Sequence, residues 1–513
     1  MRRFLLLWFV SSSLALQLPF KVPFFQTFRA EEDESLNETP RIAIIGAGAA
    51  GSSAAFWISR AQERFGLNVQ VDVYERQSYI GGRSTTVYPH GNSSLSPVEL
   101  GASIYVQSNK NMVRAAEAFN LSTVSFAEED GTFGVWDGEQ VIVQAGGSWW
   151  DTLRLVWRYG FMSPRRVNTI VQNMLSQYLT LYSAHTPKWD NVTGLASEFG
   201  WIDMIQNTAA QVFESQGVSK QYIYELVEAG TRVNYAQNID AIHGIEGCVS
   251  MAADKASQIK GGNWQVFENF LKHSKATVYL NTAVTGISQA SSSSRPWVVT
   301  SPKGSIRYKS VILAAPFHQT GITLPSSLSS QIPEQPYVHL HVTLLATTAP
   351  HMSTEYLNMV PNTKPPSMLL TTWEGVRRGG KAPEFNSVSY HGKINENEWV
   401  VKIFSMEPVS DEWLEKVFDG QVTWVYRKEW DAYPVLPPTT EFPPVKVDTG
   451  FYYVNAFEPF ISTMETETIA ARNVVDLLLN EQYGSSICGS RISGSEGDTK
   501  ISDDDNFVFG WDC

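Results

Sequence analysis

A glycine-rich turn directly after a short apolar run constrains the fold of this chain more than any other feature. Residues 42–45 read Ile-Ala-Ile-Ile, which favours a buried parallel strand, and the spacing Gly-x-Gly-x-x-Gly follows. Such glycines permit a tight turn, let backbone approach a pyrophosphate and let the next helix pack on the strand. The helix N-terminus would add N–H donors and a positive dipole. The residues predicted to form this dinucleotide site are Gly46, Gly48, Ala49, Ala50 and Gly51.

A second predicted strand, 69–74, ends in an acidic residue. Glu75 stands near the spacing at which a carboxylate in such a fold holds a ribose hydroxyl. A glycine turn without a ligand is the alternative, and the combination of the turn with this carboxylate argues against it. We therefore expect a bound dinucleotide.

The run after Glu75 indicates which dinucleotide is expected. It begins at Arg76 and contains Gly81, Gly82 and Arg83. This run resembles the Gly-Gly-Arg segment of the flavin amine oxidase superfamily. The resemblance implies that the glycines pass close to FAD and that the arginine meets its phosphates. An arginine in a surface hairpin is the alternative for Arg83.

Two later segments continue the same resemblance. The segment 98–103, with Gly101 and Ala102, is similar to the strand that passes beside the isoalloxazine in that superfamily. Val284 follows a glycine pair, a helix and a strand, and it matches the residue whose backbone contacts the adenine end of FAD. The cofactor domain is therefore expected to be discontinuous in the chain.

A third segment places a helix near the flavin. Thr463, Met464 and Glu465 open a predicted helix, and the resemblance implies that its N-terminus points at the pyrimidine side of the flavin. Its positive dipole would stabilise the anionic reduced flavin. A plain helix cap is the alternative for Thr463 and Glu465, and both interpretations can hold together.

The sequence thus predicts an α/β protein, with a Rossmann-type, amine oxidase-like FAD-binding domain and an α+β substrate domain. Amphipathic, aromatic-rich stretches predict helices in the first substrate segment, and alternating apolar residues predict strands in the second. The predicted segments are a signal peptide (1–15), a flexible lead-in (16–40), the FAD-binding domain (41–109, 241–317 and 446–480), the helical first part (110–240) and the second part (318–445) of the substrate domain, and an acidic tail (481–513).

The N-terminus and the charge bear on localisation and partners. Two arginines, an apolar run and small residues predict a cleaved secretory signal ending near Ala15, and no later run is apolar enough to span a bilayer. We therefore expect residence in the secretory pathway, in a vacuole or lysosome, or outside the cell. The net charge of −13 argues against nucleic acid or an anionic membrane surface as the main partner and leaves at most a peripheral lipid contact. The predicted glycosylation sites are Asn37, Asn92, Asn120 and Asn191.

The three cysteines predict no metal centre and no redox pair. Cys248 lies in an apolar-small run and is expected to be buried, whereas Cys488 and Cys513 lie in the tail and either pair or stay reduced. No Cys-x-x-Cys and no metal-spaced His/Cys cluster occurs, so we expect no metal. Electrons would then leave a flavin for a diffusing acceptor, most simply oxygen. No His or Cys lies in the segments expected beside FAD, so the FAD is expected to be bound non-covalently.

A narrower resemblance concerns the reaction. The blocks 229–238, 243–247 and 462–465 look like segments of the prenylcysteine oxidases, although this chain has Ala236 where glycine is more usual. The resemblance implies an FAD-dependent thioether oxidase that acts in the degradation of prenylated proteins. Such an enzyme cleaves farnesyl- or geranylgeranyl-cysteine with O2 and water to cysteine, a prenyl aldehyde and H2O2.

The chemistry of a prenyl thioether needs no strong side-chain base. The carbon next to sulfur is also allylic, so loss of hydride gives a cation shared by sulfur and the alkene. Candidates for holding the amino-acid end are Arg232, Tyr235 and His243, although His243 could equally be a structural histidine. Two alternatives stay open: a flavin amine oxidase acting on a C–N bond, and a lumenal lipid-binding flavoprotein without catalysis.

Overall fold

A parallel sheet built around the first predicted strand carries the glycine turn. The computed structural model describes residues 39–125, 131–146, 148–253, 255–290, 294, 296–488 and 506–513. The predicted signal peptide, the lead-in up to residue 38, Asn37 and the tail residues 489–505 lie outside the described residues. Residues from Pro40 onward form one compact unit, so the predicted domain boundaries stay predictions.

Helices and strands occur along the whole described chain, with a run of helices between residues 149 and 250. The described strands are β1 (Arg41–Ile45), β2 (Gln70–Tyr74), β3 (Thr86–Val87), β4 (Val98–Glu99), β5 (Thr123–Ser125), β6 (Phe133–Trp136), β7 (Val141–Ala145), β8 (Ser257–Ile259), β9 (Thr277–Tyr279), β10 (Gly286–Gln289), β11 (Trp297–Ser301), β12 (Gly304–Tyr308), β13 (Ser310–Leu313), β14 (Tyr337–Thr347), β15 (Met368–Thr371), β16 (Ser387–Asn395), β17 (Glu398–Ser405), β18 (Val422–Pro434), β19 (Lys446–Asp448) and β20 (Phe451–Tyr453). The described α-helices are α1 (Ala49–Phe65), α2 (Lys110–Ala118), α3 (Trp149–Tyr159), α4 (Met162–Tyr178), α5 (Val192–Glu198), α6 (Ile202–Gln206), α7 (Ala209–Ser215), α8 (Lys220–Tyr222), α9 (Glu228–Tyr235), α10 (Gly244–Ser250), α11 (Trp264–His273), α12 (Ser326–Ser329), α13 (Glu374–Arg377), α14 (Asp411–Val417) and α15 (Met464–Tyr483).

The six-stranded sheet has the order β19-β20-β13-β1-β2-β9. β20, β13, β1, β2 and β9 are parallel, and β19 is an antiparallel edge. Both faces of β1 are covered, which explains its continuous apolar run. Because these strands come from three separate stretches of the chain, the predicted discontinuous Rossmann-type fold is confirmed.

A seven-stranded, largely antiparallel sheet has the order β18-β14-β17-β16-β15-β6-β7. Five of its strands come from 318–445, as predicted. β6 and β7 come from 110–240, a segment predicted to be helical, and that part of the prediction is wrong. β6 pairs in parallel with β15 and antiparallel with β7, so its residues are fixed by a distant partner that local periodicity does not show.

A disulfide joins two cysteines of the tail, and the end of the tail packs against α1. Cys488 and Cys513 form a disulfide, which settles the open alternative, and Cys248 is buried and free as expected. Trp511 packs its ring against Phe56 and Trp57, at centroid distances of 5.1 and 5.5 Å. The end of the tail is therefore part of the core. In the described part of the chain, no helix is long and apolar enough to cross a bilayer.

Candidate active site

One cavity of about 720 Å³ runs between the two large sheets. The N-termini of α1 and α15 both reach it, and strands of the seven-stranded sheet form its opposite wall. The predicted cofactor residues that line the cavity are Gly46, Gly48, Ala49, Ala50, Glu75, Arg76, Gly81, Gly82, Arg83, Gly101, Ala102, Val284, Thr463, Met464 and Glu465. Segments far apart in sequence therefore meet around one space.

The glycine turn joins β1 to α1 at one end of the cavity. Gly46 has a φ of 108°, which favours glycine. A Cβ at Gly51 would lie 1.9 Å from the Gly46 carbonyl oxygen, so the helix can pack on the turn only with glycine there. Gly51 does not line the cavity and acts through packing, as its predicted role requires.

Glu75 is buried at the end of β2, directly behind the turn. Its Oε2 accepts a hydrogen bond from the Ala47 N–H at 2.9 Å, and its Oε1 accepts one from the Gln77 N–H at 2.8 Å. The carboxylate therefore ties β2 to the glycine turn and faces the cavity at the place where a ribose hydroxyl was expected. The neighbouring Arg76 donates from Nη1 to the Gln319 carbonyl oxygen at 3.0 Å.

Arg83 lines the cavity, but its guanidinium pairs with a carboxylate that sequence reasoning missed. Its Nη1 lies 2.6 Å from Glu458 Oε1 and donates to the Ala432 carbonyl oxygen at 2.8 Å. The Tyr337 hydroxyl donates to Glu458 Oε2 at 2.6 Å. In the structure Arg83 thus joins the cofactor side of the cavity to the seven-stranded sheet, and its expected contact with a phosphate stays a prediction.

The N-terminus of α15 presents a positive dipole end to the cavity. Thr463 caps it, since its Oγ1 accepts from the Thr466 N–H at 3.0 Å. The Glu465 carboxylate accepts from the Asn111 and Met112 N–H groups at 2.7 and 2.9 Å, at the start of α2. The Glu465 side chain is therefore a structural cap, and its expected contact with the cofactor stays a prediction.

Burial raises the pKa of two acids near this helix end. The pKa of Glu465 is raised to about 7. The pKa of Glu467 is raised well above its usual range, and the negative charge of Glu458 adds to that shift. Both shifts oppose ionisation of acids that would otherwise place negative charge beside the first turn of α15, whose N–H groups attract an anionic group.

A buried lysine lies on the substrate side of the cavity. Lys402 is on β17, and its Nζ donates to Ser103 Oγ at 2.8 Å and to the Glu99 carbonyl oxygen at 3.2 Å. Burial lowers its pKa to about 8, against the charge of Glu99. Burial likewise raises the pKa of Glu99 to about 7. An ammonium group thus lines this wall of the cavity, and the sequence signal for it was one lysine inside the apolar run of a strand.

Of the three residues expected to hold the amino-acid end of a substrate, one lines the cavity and two do not. Tyr235 lines the cavity, and its hydroxyl donates to the Ser462 carbonyl oxygen at 3.2 Å. Arg232 and His243 do not line the cavity. Arg232 donates to Thr371 Oγ1, Asn238 Oδ1 and Asn386 Oδ1 at 2.8, 2.6 and 3.0 Å, so protein acceptors occupy its guanidinium.

His243 is a structural histidine, which was the alternative stated for it. It is fully buried, its Nδ1 accepts from the Glu246 N–H at 3.3 Å, and its Nε2 donates to the Pro459 carbonyl oxygen at 3.2 Å. Burial lowers its pKa to about 4, so the ring is neutral at physiological pH. Both ring nitrogens are satisfied by backbone, and His243 caps the N-terminus of α10.

Ala236 ends α9 with a φ of 53°. Glycine adopts this left-handed conformation without strain, which explains why glycine is more usual at this position.

Elsewhere, on the paired strands β14 and β18, His339, His341 and Glu429 bring ligand atoms within 4.8 Å of one another. His339 and Glu429 are exposed and His341 is half-buried, and the spacing along the sequence did not predict this group.

Comparisons with known proteins agree with this geometry. A model of an NAD(P)-binding Rossmann-like domain matches residues 44–119, and a model of the prenylcysteine lyase family matches residues 142–487. Farnesylcysteine lyase of Arabidopsis thaliana is 29% identical, over 86% of this chain and 88% of that protein. Prenylcysteine oxidase 1 of Homo sapiens is 27% identical, over 86% of this chain and 90% of that protein.

Solved structures show the same fold. A putrescine oxidase with bound putrescine superposes with a TM-score of 0.58 at 13% identity, covering 86% of this chain and 99% of that one. Cyclohexylamine oxidase from Brevibacterium oxydans superposes with a TM-score of 0.57 at 14% identity, with the same coverage.

The fold and the cavity define a flavoprotein oxidoreductase, because a glycine turn, a buried acid and two helix N-termini converge on one cavity of the size that a bound ligand requires. The residues present fit FAD: small residues line the turn where a pyrophosphate must approach, and both helix ends favour negative charge. More particularly, the chain belongs to the prenylcysteine lyase family.

Proposed function

We propose that this protein is an FAD-dependent thioether oxidase that cleaves farnesyl- or geranylgeranyl-cysteine, with O2 and water, to cysteine, a prenyl aldehyde and H2O2. The observation that carries the proposal is that one cavity extends from the glycine turn to the seven-stranded sheet. Relatives named farnesylcysteine lyase and prenylcysteine oxidase support this substrate class.

Apolar side chains supply a wall for the isoprenoid. The apolar residues that line the cavity from α4, α9 and the seven-stranded sheet are Met174, Leu175, Val233, Leu340, Met368 and Phe404. Burying a prenyl chain against them gains about 0.8 kcal/mol for each methylene group removed from water. The substrate would thus be held mainly by burial, which leaves few polar groups to fix its orientation.

Lys402 is the group that we propose for the amino-acid end. Its Nζ makes two hydrogen bonds to neutral oxygens, Ser103 Oγ and the Glu99 carbonyl oxygen. An ammonium group has three N–H donors, so a substrate carboxylate can take the third. The nearby His391 stays neutral, because burial and the charge of Lys402 hold its pKa well below the usual range. Lys402 is the buried cation of that wall, whereas Lys428, which also lines the cavity, is exposed.

When bound, FAD would accept the two electrons taken from the carbon next to sulfur. The cavity residues orient that carbon and exclude water until the cation forms, and they need not remove a proton from it. We propose non-covalent FAD, since the described cavity-lining residues include no cysteine and His391 as their sole histidine. We propose O2 as the electron acceptor.

We further propose that the protein resides in the secretory pathway, in a vacuole or lysosome or outside the cell, and touches lipid peripherally. The exposure of Asn92, Asn120 and Asn191 supports access to glycosylation. The disulfide between Cys488 and Cys513 supports an oxidising route. Treatment of secreted protein with an N-glycosidase should lower its apparent mass, and an unchanged mass would count against this route.

The test of the reaction is a single turnover without oxygen. Farnesylcysteine mixed anaerobically with FAD-loaded protein should bleach the flavin, and deuterium at the carbon next to sulfur should slow the bleaching. Single turnover is needed because product release can hide the isotope effect in steady state. A fully loaded preparation that farnesylcysteine does not bleach would refute the proposal. Bleaching by putrescine alone would indicate an amine oxidase, and binding without bleaching would indicate a lipid-binding flavoprotein.

The role of Lys402 has its own test. Lys402→Met should weaken binding of farnesylcysteine roughly 10- to 100-fold, which corresponds to a charge-assisted hydrogen bond of about 1.5–3 kcal/mol. Farnesylcysteamine lacks the carboxylate and serves as the matched ligand. Its binding should change little in the variant. Equal losses for both ligands would show that Lys402 supports the cavity wall instead of holding a carboxylate.

A further inference from the structure

The outer face of α3 and the start of α4 expose an unusual set of large apolar side chains. They are Trp149, Trp150, Leu153, Trp157, Phe161 and Met162. We propose that this surface, the aromatic face, docks the protein on a lipid bilayer that contains anionic headgroups. The bilayer contact is independent of the proposed reaction, and it would stand if the substrate were different.

The aromatic face follows from the sequence spacing. Trp149, Leu153, Trp157 and Phe161 are four residues apart, so they form one stripe along the helix and the turn after it. The opposite side of α3 is anchored, because Tyr159 is buried in a cluster with Val135 and Val143. The stripe therefore points outward from a fixed helix.

The exposure is large. Trp157 is 88% exposed, Phe161 74%, Trp149 64% and Trp150 57%. At about 200 Å² for a whole aromatic side chain, these four rings present on the order of 500 Å² of mostly apolar surface. An exposed patch of this size marks a site of interaction with a protein or a membrane.

The charges beside the stripe favour a bilayer. Between residues 148 and 166 the chain carries four arginines and one aspartate, although the whole protein has a net charge of −13. Arg154 is 80% exposed, and Arg165 is exposed as well. Arginines next to apolar rings attract anionic headgroups while the rings enter the interface. Tryptophan suits that depth, because its ring is apolar and its N–H can still reach polar groups.

A second copy of the chain fits this surface less well. In a two-fold dimer the same patch faces itself, so the arginines of the two copies would oppose one another at close range. A bilayer brings the opposite charge. We therefore assign lipid as the partner and keep self-association as an outcome of the test.

The position of α4 connects the aromatic face to the cavity. The helix begins at Met162, in the aromatic face, and Met174, Leu175 and Tyr178 near its other end line the cavity. Twelve residues of helix span about 18 Å. A bilayer-bound protein would thus hold its cavity wall about one helix length from the lipid in which a prenyl thioether dissolves.

Vesicle sedimentation of the FAD-loaded protein tests the assignment. Wild-type protein should bind vesicles of phosphatidylcholine mixed with phosphatidylserine, and bind phosphatidylcholine alone more weakly. The variant Trp157→Ser with Phe161→Ser should bind both at least about tenfold more weakly. The matched control is Val360→Ser with Met406→Ser, which removes two exposed apolar side chains elsewhere and should bind as the wild type does.

The charge contribution has a separate variant. Arg154→Gln with Arg165→Gln should remove the preference for phosphatidylserine and leave binding to phosphatidylcholine unchanged. Oxidation of dissolved farnesylcysteine without vesicles should be equal in the wild type and the aromatic variant, which separates the docking surface from the reaction. Failure of the wild type to bind vesicles, or unchanged binding by the aromatic variant, would overturn the proposal. So would a dimer in solution that the aromatic variant dissociates.

Discussion

Replacing Glu246 by glutamine should stabilise this protein at pH 8 far more than at pH 5. Glu246 lies on α10 and is fully buried. Its Oε1 accepts from the Ser462 N–H at 3.1 Å, and the Tyr235 hydroxyl lies beside it. Burial outweighs these interactions and raises the pKa of Glu246 to about 8, with the charge of Glu458 adding to the shift. Glutamine has the same shape and keeps an oxygen for the Ser462 N–H.

The direction follows from proton linkage. In the folded protein Glu246 keeps its proton up to about pH 8, whereas in the unfolded chain it loses the proton above about pH 4.3. The folded state therefore binds more protons between these values, and stability falls as pH rises through that window. At about 1.4 kcal/mol for each pKa unit, the loss between pH 5 and pH 8 is about 4 kcal/mol. Glutamine cannot titrate and avoids this loss.

The measurement is urea unfolding of wild type and Glu246→Gln, followed by tryptophan fluorescence at both pH values. Subtracting the two proteins at each pH cancels the other titrating groups. The difference in unfolding free energy should move by about 4 kcal/mol in favour of glutamine from pH 5 to pH 8. Glu198→Gln, at an exposed carboxylate, should show no such movement. A difference between wild type and Glu246→Gln that stays constant would mean that Glu246 is already ionised in the folded protein at pH 5.

Three further outcomes are expected. Glu75→Gln should lower FAD affinity roughly 10- to 100-fold, because an amide replaces a carboxylate that accepts the Ala47 and Gln77 N–H groups; equilibrium dialysis measures this, and unchanged affinity would remove Glu75 from the cofactor site. Cys513→Ser opens a bridge that spans 25 positions and should reduce the unfolding free energy by about 3 kcal/mol, and the wild type with its disulfide reduced should lose a similar amount. Acid precipitation should release all the flavin into the supernatant, whereas a yellow pellet would indicate a covalent link.

The cofactor half of the site could be predicted because its chemistry is local in sequence. The strand, the glycine turn and the helix N-terminus lie within 41–65. Steric contacts between these neighbouring parts restrict which residues can occupy each position. The close approach of Gly51 to the Gly46 carbonyl oxygen is one example. Glu75 lies at a nearly fixed distance along the chain, because one helix and one strand separate it from the turn. The sequence constrains such a site almost completely.

The substrate half could not be predicted in the same way, because its groups come from strands paired over long distances. Lys402 reaches the cavity only through the register of β17 between β14 and β16. A shift of one residue would turn it to the other face. Arg232 and His243 show the opposite case, in which the sequence nominated residues that the cavity does not use. Both are polar residues in a family-like block, yet burial gave each a full set of protein partners. Buried polar groups are mostly satisfied by the fold, and these two residues follow that rule. Lys402 differs because its ammonium group lies at the cavity with a third N–H donor, and only its place inside an apolar strand marks it in the sequence.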